Sequence, residues 1–98
     1  MISRLNTITL KRRKNRRKVE LYLVNDKYNS FDHVINTLAN TLPECSVIKA
    51  EQLANITHNK DVCHIYTGKS PEVYYVQTML IKQGLHVISK KPGKNLDN

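Results

Sequence analysis

In the stretch VELYLVNDKYNSF, residues 19–31, an apolar run stops at Asn25 and Asp26 and a new pattern begins at Phe31. An amide oxygen beside a carboxylate gives two strong hydrogen-bond acceptors, and the carboxylate adds a negative charge. Such a pair can fold back on its own backbone as an Asx turn, or it can hold an ammonium group with the help of a further acceptor. His58, at the end of a later helical stretch, could supply the imidazole; a lone His there otherwise caps the helix or faces water. The residues alone leave both readings open. His58, Cys63 and His64 suggest a metal group, but Cys63 and His64 are neighbours on a strand and point to opposite faces, and the paired spacing of structural zinc is missing. No nucleophile elbow and no glycine-rich phosphate loop occurs, so no catalytic residue, metal or cofactor is expected and the chain reads as a non-enzyme.

Ninety-eight residues suit one small domain, with little material left for a deep catalytic cleft. No apolar run approaches the roughly 20 residues of a membrane span, and the N-terminus lacks the apolar centre of a secretory signal. The two cysteines, Cys45 and Cys63, are too few for a disulfide framework, which points to a reduced compartment. A cytoplasmic location is expected, with an organelle of bacterial origin as the alternative.

The net charge of +8 is not spread evenly. Residues 1–18 carry eight Lys or Arg and no acid, whereas residues 19–98 carry eight lysines against eight acids and no arginine. The excess therefore belongs to a tail whose like charges repel, expected to be disordered, and the body is neutral. KRRKNRRK at 11–18 attracts polyanions without reading sequence, so nucleic acid is expected only as a non-specific contact of the tail. The segment's Arg, Ser and Thr also resemble an organelle-targeting stretch, although it is too uniformly charged for a good amphipathic targeting helix.

The elements that must position the acceptors follow from periodicity. Val19–Val24 reads as a strand, and Ser30 as the N-cap of an amphipathic helix over 31–42 with Phe31, Val34, Ile35, Leu38 and Leu42 on one stripe. Pro43 ends it. A second helix over 46–58 sets Val47, Ala50, Leu53 and Ala54 on one side. Val62–Thr67 reads as a strand broken by Gly68, with His64 and Tyr66 opposite Cys63 and Ile65. Ser70 as cap, Pro71 at the first position and Glu72 in the first turn start a third helix that runs to about Gln83, with Gly84 as its C-terminal cap and Leu85–Ser89 as the last strand. Of Tyr74 and Tyr75, about 100° apart around that helix, one is expected at the core rim and one exposed. The order β-α-α-β-α-β implies an α+β domain of two layers, a three-stranded antiparallel sheet covered by three helices, over residues 19–90, with 91–98 a second solvated tail.

VNDKYNSF followed by a helix, then AEQLANITH, then DVCHIYT, resembles the ClpS family, adaptors that deliver N-degron substrates to Clp ATPase–protease machines. The resemblance covers about residues 19–90. It implies a fold shared with the C-terminal domain of the ribosomal stalk protein, in agreement with the element order. It implies that Asn25, Asp26 and His58 bind the free α-amino group of a substrate, and that Phe31, Ala54, Thr57 and Val87 line a pocket for its first side chain, a bulky hydrophobic residue. It places Lys69, Glu72 and Tyr74 on the surface that docks a Clp-type AAA+ ATPase. Several positions depart from the family. Lys27 replaces the second acid of N-D-D, which should disfavour a basic second residue in the substrate. Phe31 replaces a Met, and Ala54 and Thr57 replace a Met and a Val, enlarging the pocket and adding a hydroxyl. The segment between His58 and Cys63 is two residues shorter, Lys69 stands at an acidic position, and Tyr74 replaces a Lys. The alternatives are a small basic module associated with ribosomes or RNA, and a relative that keeps the fold with an altered or lost pocket.

Overall fold

The computed structural model describes residues 17–91, and the basic segment before Arg17 and the residues after Lys91 lie outside them. The elements are β1 (Lys18–Val24), α1 (Phe31–Thr41), α2 (Val47–Lys60), β2 (Val62–Lys69), α3 (Ser70–Lys82) and β3 (Val87–Lys90). The three strands form an antiparallel sheet in the order β2-β1-β3, and the helices cover one face, as the element order requires.

β1 alternates strictly, with Val19, Leu21 and Leu23 buried and Glu20, Tyr22 and Val24 on the other face. It starts one residue earlier than expected because Lys18 already pairs with Lys69. Leu21, Val19, Leu38, Val73 and Leu80 are almost fully excluded from water and form the centre of the core. In α2 the buried stripe is Ala50, Leu53, Ala54 and Thr57, a spacing of three and four. Val47, expected on that stripe, is 61 % exposed at the first helical position.

β2 departs from its expected form twice. Its ladder with β1 continues through Gly68 to Lys69, so the glycine lies within the strand. A Cβ there would stand 3.1 Å from both Glu72 Oε1 and Tyr66 Oη, and the bare backbone lets those side chains close over it. The register also shifts: Leu21 pairs with Tyr66 but Tyr22 pairs with His64, leaving Ile65 as the extra residue of a β-bulge. The bulge returns Tyr66 to the helix-covered side, where it packs against the core, while His64 stays on the open face. Strict alternation had put both outward.

The end of α3 is a Schellman turn. Gly84, at φ 91°, donates to Ile81 O at 2.9 Å and Leu85 N donates to Leu80 O at 3.1 Å. Leu85 thereby belongs to the turn, and β3 begins at Val87 instead of Leu85. At the other end of α3, Ser70 is the first helical residue and Lys69 occupies the cap position, without a side-chain bond. Tyr74 and Tyr75 are both exposed, correcting the expectation that one would sit at the core rim. Among the described residues no helix is long and apolar enough to cross a membrane.

Candidate functional site

A cavity of about 350 Å³ opens where β1 ends, between the β1–α1 loop, the last two turns of α2 and the turn before β3. Asn25, Asp26, Phe31, Ala54, Thr57 and His58 line it, together with Leu85.

Backbone bonds between distant segments set this geometry. Asn25 N donates to Asp61 O at 2.8 Å, and Val24 N donates to His86 O at 2.8 Å. Asp61 adopts the left-handed region at φ 73° and its N–H closes on Thr57 O at 2.8 Å, so a single residue turns the chain from α2 into β2. Asp is among the few non-glycine residues found there with any frequency. This short connection ties the last turn of α2 to the end of β1, and with it brings His58 to the cavity that Asn25 lines. His58 is exposed, and its ring packs against that of Phe31 with centroids 5.4 Å apart and a tilt of 54°. Phe31, the first residue of α1, is correspondingly 44 % exposed despite its place on the helix's apolar stripe.

Asp26 is the most heavily bonded group. Its Oδ1 accepts from Tyr28 N and Asn29 N, each at 2.9 Å, and its Oδ2 accepts from Asn29 Nδ2 at 2.9 Å. Partial burial alone would raise its pKa, but the bonds from Asn29 and Tyr28, helped by the charge of His86, outweigh it and hold the carboxyl below its ordinary value. Asp26 therefore does form the turn that its type suggested. A carboxylate offers about four acceptor positions, so the three bonds leave room for one more donor and leave the charge in place.

Asn29 was a generic turn residue in the sequence. In the structure its Nδ2 donates both to Asp26 and to Gly84 O, at 2.9 Å each, linking two loops 55 positions apart. His33 adds a second stitch, its Nε2 lying 2.7 Å from Gln83 O. Together they fix the turn that carries Leu85 against the loop that carries Asp26. The available signal was a polar side chain inside a loop that must meet the glycine cap of α3.

The apolar wall differs from expectation at two points. Val87 is buried opposite Leu23 in the sheet, with its carbonyl 3.4 Å from Gln77 Nε2, and is not among the cavity-lining residues; Leu85 stands on the wall instead. Thr57 does not add a free hydroxyl, because its Oγ1 donates to Leu53 O at 2.8 Å within α2. Lys27 lines the mouth and is exposed. Lys69, Glu72 and Tyr74 lie at the β2–α3 junction, at the opposite end of β1. Cys63 is buried and His64 exposed, and no group of three or more His, Cys, Asp or Glu able to hold a metal occurs among the described residues.

The known proteins to which the chain is similar agree with this architecture. The structure of Agrobacterium tumefaciens ClpS2 bound to L-phenylalaninamide superposes with a TM-score of 0.63 over 76 % of this chain and 96 % of that one, at 12 % identity, a likeness of fold. No curated protein matches the sequence. The family model described as ATP-dependent Clp protease adaptor protein ClpS matches residues 14–87, which is most of the chain and nearly all of the folded body. Its members are adaptors and not catalysts. The chain belongs to the ClpS family, and is in general terms an adaptor of the Clp protease.

Proposed function

We propose that the cavity binds the free N-terminus of a substrate protein whose first residue is bulky and hydrophobic, and that the protein delivers that substrate to a Clp-type AAA+ ATPase. The observation that carries this reading is one cavity lined both by Asn25, Asp26 and His58 and by the apolar surfaces of Phe31, Ala54 and Leu85. An α-ammonium group differs from every internal amide by its charge and its three donors, so convergent acceptors select chain ends. The Asn25 amide oxygen, the remaining lone pair of Asp26 and the unprotonated ring nitrogen of His58 would take one N–H each. The first side chain would lie over Ala54 and against Leu85, with Phe31 as a rim.

The relative whose structure is bound to L-phenylalaninamide supports this reading, since that molecule joins a free α-amine to an aromatic side chain. Magnitudes support it too. Burial of a Leu or Phe side chain is worth about 1.5–3 kcal/mol. A charged hydrogen bond adds about 1.5–3 kcal/mol. One such side chain and three such bonds sum to about 6–12 kcal/mol before the cost of association, a range that contains the roughly 8 kcal/mol of micromolar binding. The ATPase would dock at Lys69, Glu72 and Tyr74. β1 separates that surface from the cavity by about 20 Å at 3.4 Å per residue, so substrate and ATPase can be held together.

A peptide array of free N-termini tests the pocket and its preference at once. Peptides beginning with Leu, Phe, Tyr or Trp are expected to bind, and those beginning with Gly, Asp or Lys are not. Equal binding of all first residues would contradict the reading.

A further inference from the structure

Phe31 stands outside the hydrophobic core that its helix helps to build. Val34 and Ile35, one turn along α1, are half-buried against that core, whereas Phe31 keeps 44 % of its surface exposed. Burial stabilises in proportion to the area removed from water, so a ring left nearly half in water adds less to the fold than its size allows. Its backbone is nevertheless held. Ser30 Oγ accepts from His33 N at 3.1 Å and Ser30 O accepts from Val34 N at 3.0 Å, which fixes the first turn of α1. From there the ring meets that of His58 on the cavity lining, with centroids 5.4 Å apart. The rest of the apolar wall is aliphatic. Ala54 and Leu85 are buried, and Thr57 turns its hydroxyl into α2, where it donates to Leu53 O at 2.8 Å. Of the described residues that line the cavity, only Phe31 and His58 carry rings.

We propose that Phe31 is a specificity-determining residue, whose ring selects substrates with an aromatic first side chain over those with an aliphatic one of the same size. The inference rests on the reading of the cavity as a site for chain ends. Aromatic pairs favour offset or edge-to-face contact with centroids about 4.5–7 Å apart, and such pairs contribute beyond the area they bury. The contact with His58, tilted by 54°, already has that geometry, so the Phe31 ring is set beside the acceptors before a substrate arrives. A ring that enters over Ala54, its own α-amine held by His58, comes within reach of Phe31 and extends the pair to three. An aliphatic side chain fills the same space and gains burial alone. The aliphatic wall responds to apolar area, which both kinds of side chain offer, so the choice between them falls to the rim.

The test is a cycle of two proteins and two peptides, which isolates the contact between the Phe31 ring and the substrate ring. The full chain and its Phe31→Leu variant are titrated with free-amine peptides that begin with phenylalanine or with cyclohexylalanine. The second residue keeps the carbon skeleton of the first and lacks its π-system. The ratio of phenylalanine to cyclohexylalanine affinity is expected to be about 2- to 12-fold higher in the parent than in Phe31→Leu. Phe31→Tyr, which keeps a ring, is expected to retain the parent's ratio. The same ratio in the parent and in Phe31→Leu, including an equal loss for both peptides, would overturn the selection and leave Phe31 as a support for His58. An α-acetylated phenylalanine peptide separates that result from failure of the clamp. Acetylation that weakens binding while the ratio stays constant defeats the selection and keeps the clamp; acetylation without effect defeats the clamp itself.

Discussion

The two ends of the sheet are built on different physics. At the cavity end, hydrogen bonds between segments 50 and 55 positions apart, from His33 to Gln83 and from Asn29 to Gly84, hold a few acceptors in fixed geometry. At the opposite end, flexible lysines on strand termini share charge and little geometry. The first arrangement suits recognition of one chemical group in one orientation. The second suits attraction that depends on salt and tolerates many orientations. Substitutions should separate them: changes at the cavity end alter which ligands bind, and changes at the lysine end alter how salt governs docking of the proposed ATPase.

The largest effect is expected from Asp26→Ala. It removes the charge from the proposed ammonium site and leaves Tyr28 N, Asn29 N and Asn29 Nδ2 without their acceptor. Peptide affinity should fall by more than roughly 1.5 kcal/mol, as for a lost charged hydrogen bond, in a titration at neutral pH. The folded Asp26 carboxyl titrates below its ordinary value, so its contribution to stability is full above the unfolded pKa and fades as pH falls through the folded one. Accordingly the gap in Tm between the parent and Asp26→Asn should narrow as pH drops below about 4.

Asn29→Ala comes next. It cuts the bridge between Asp26 and Gly84 O while leaving the charge in place, and should weaken peptide binding by about 0.5–1.5 kcal/mol. An Asn29→Ala loss as large as that of Asp26→Ala would show that the bridge matters more than the charge. The smallest effect belongs to Lys27→Glu. Lys27 is exposed at the cavity mouth, so the change should move affinity by under about 1 kcal/mol. Its direction should depend on the ligand: peptides with a basic second residue gain and those with an acidic one lose, which a pair of peptides differing at that position would measure.

Local rules made much of the fold legible. Alternation located β1, Ser30 marked the start of α1, and Gly84 marked the end of α3, because each depends on residues within a few positions. The bulge at Ile65 was not legible, since a register shift is a property of two strands and not of either alone. The same reason moved the cavity wall from Val87 to Leu85: the Schellman turn, set by where α3 stops, decides which apolar residue meets the loop after β1. Residue chemistry offered Asn25, Asp26 and His58 together as one of two open readings, and only the family resemblance favoured it, because their approach depends on Asp61 turning α2 into β2 in a single left-handed residue. Asn29 was unreadable for a related cause: its partner Gly84 lies 55 positions away.

The central claim is that Asn25, Asp26 and His58 clamp a charged chain start. Its most direct test is the affinity of two peptides that share a Phe or Leu first residue, one with a free α-amine and one acetylated. Acetylation removes the positive charge and two of the three donors while leaving the side chain unchanged. Loss of at least about tenfold in affinity, the equivalent of 1.4 kcal/mol, is the predicted result. Equal affinity of the two peptides would contradict the clamp and leave the cavity as a site for side chains alone.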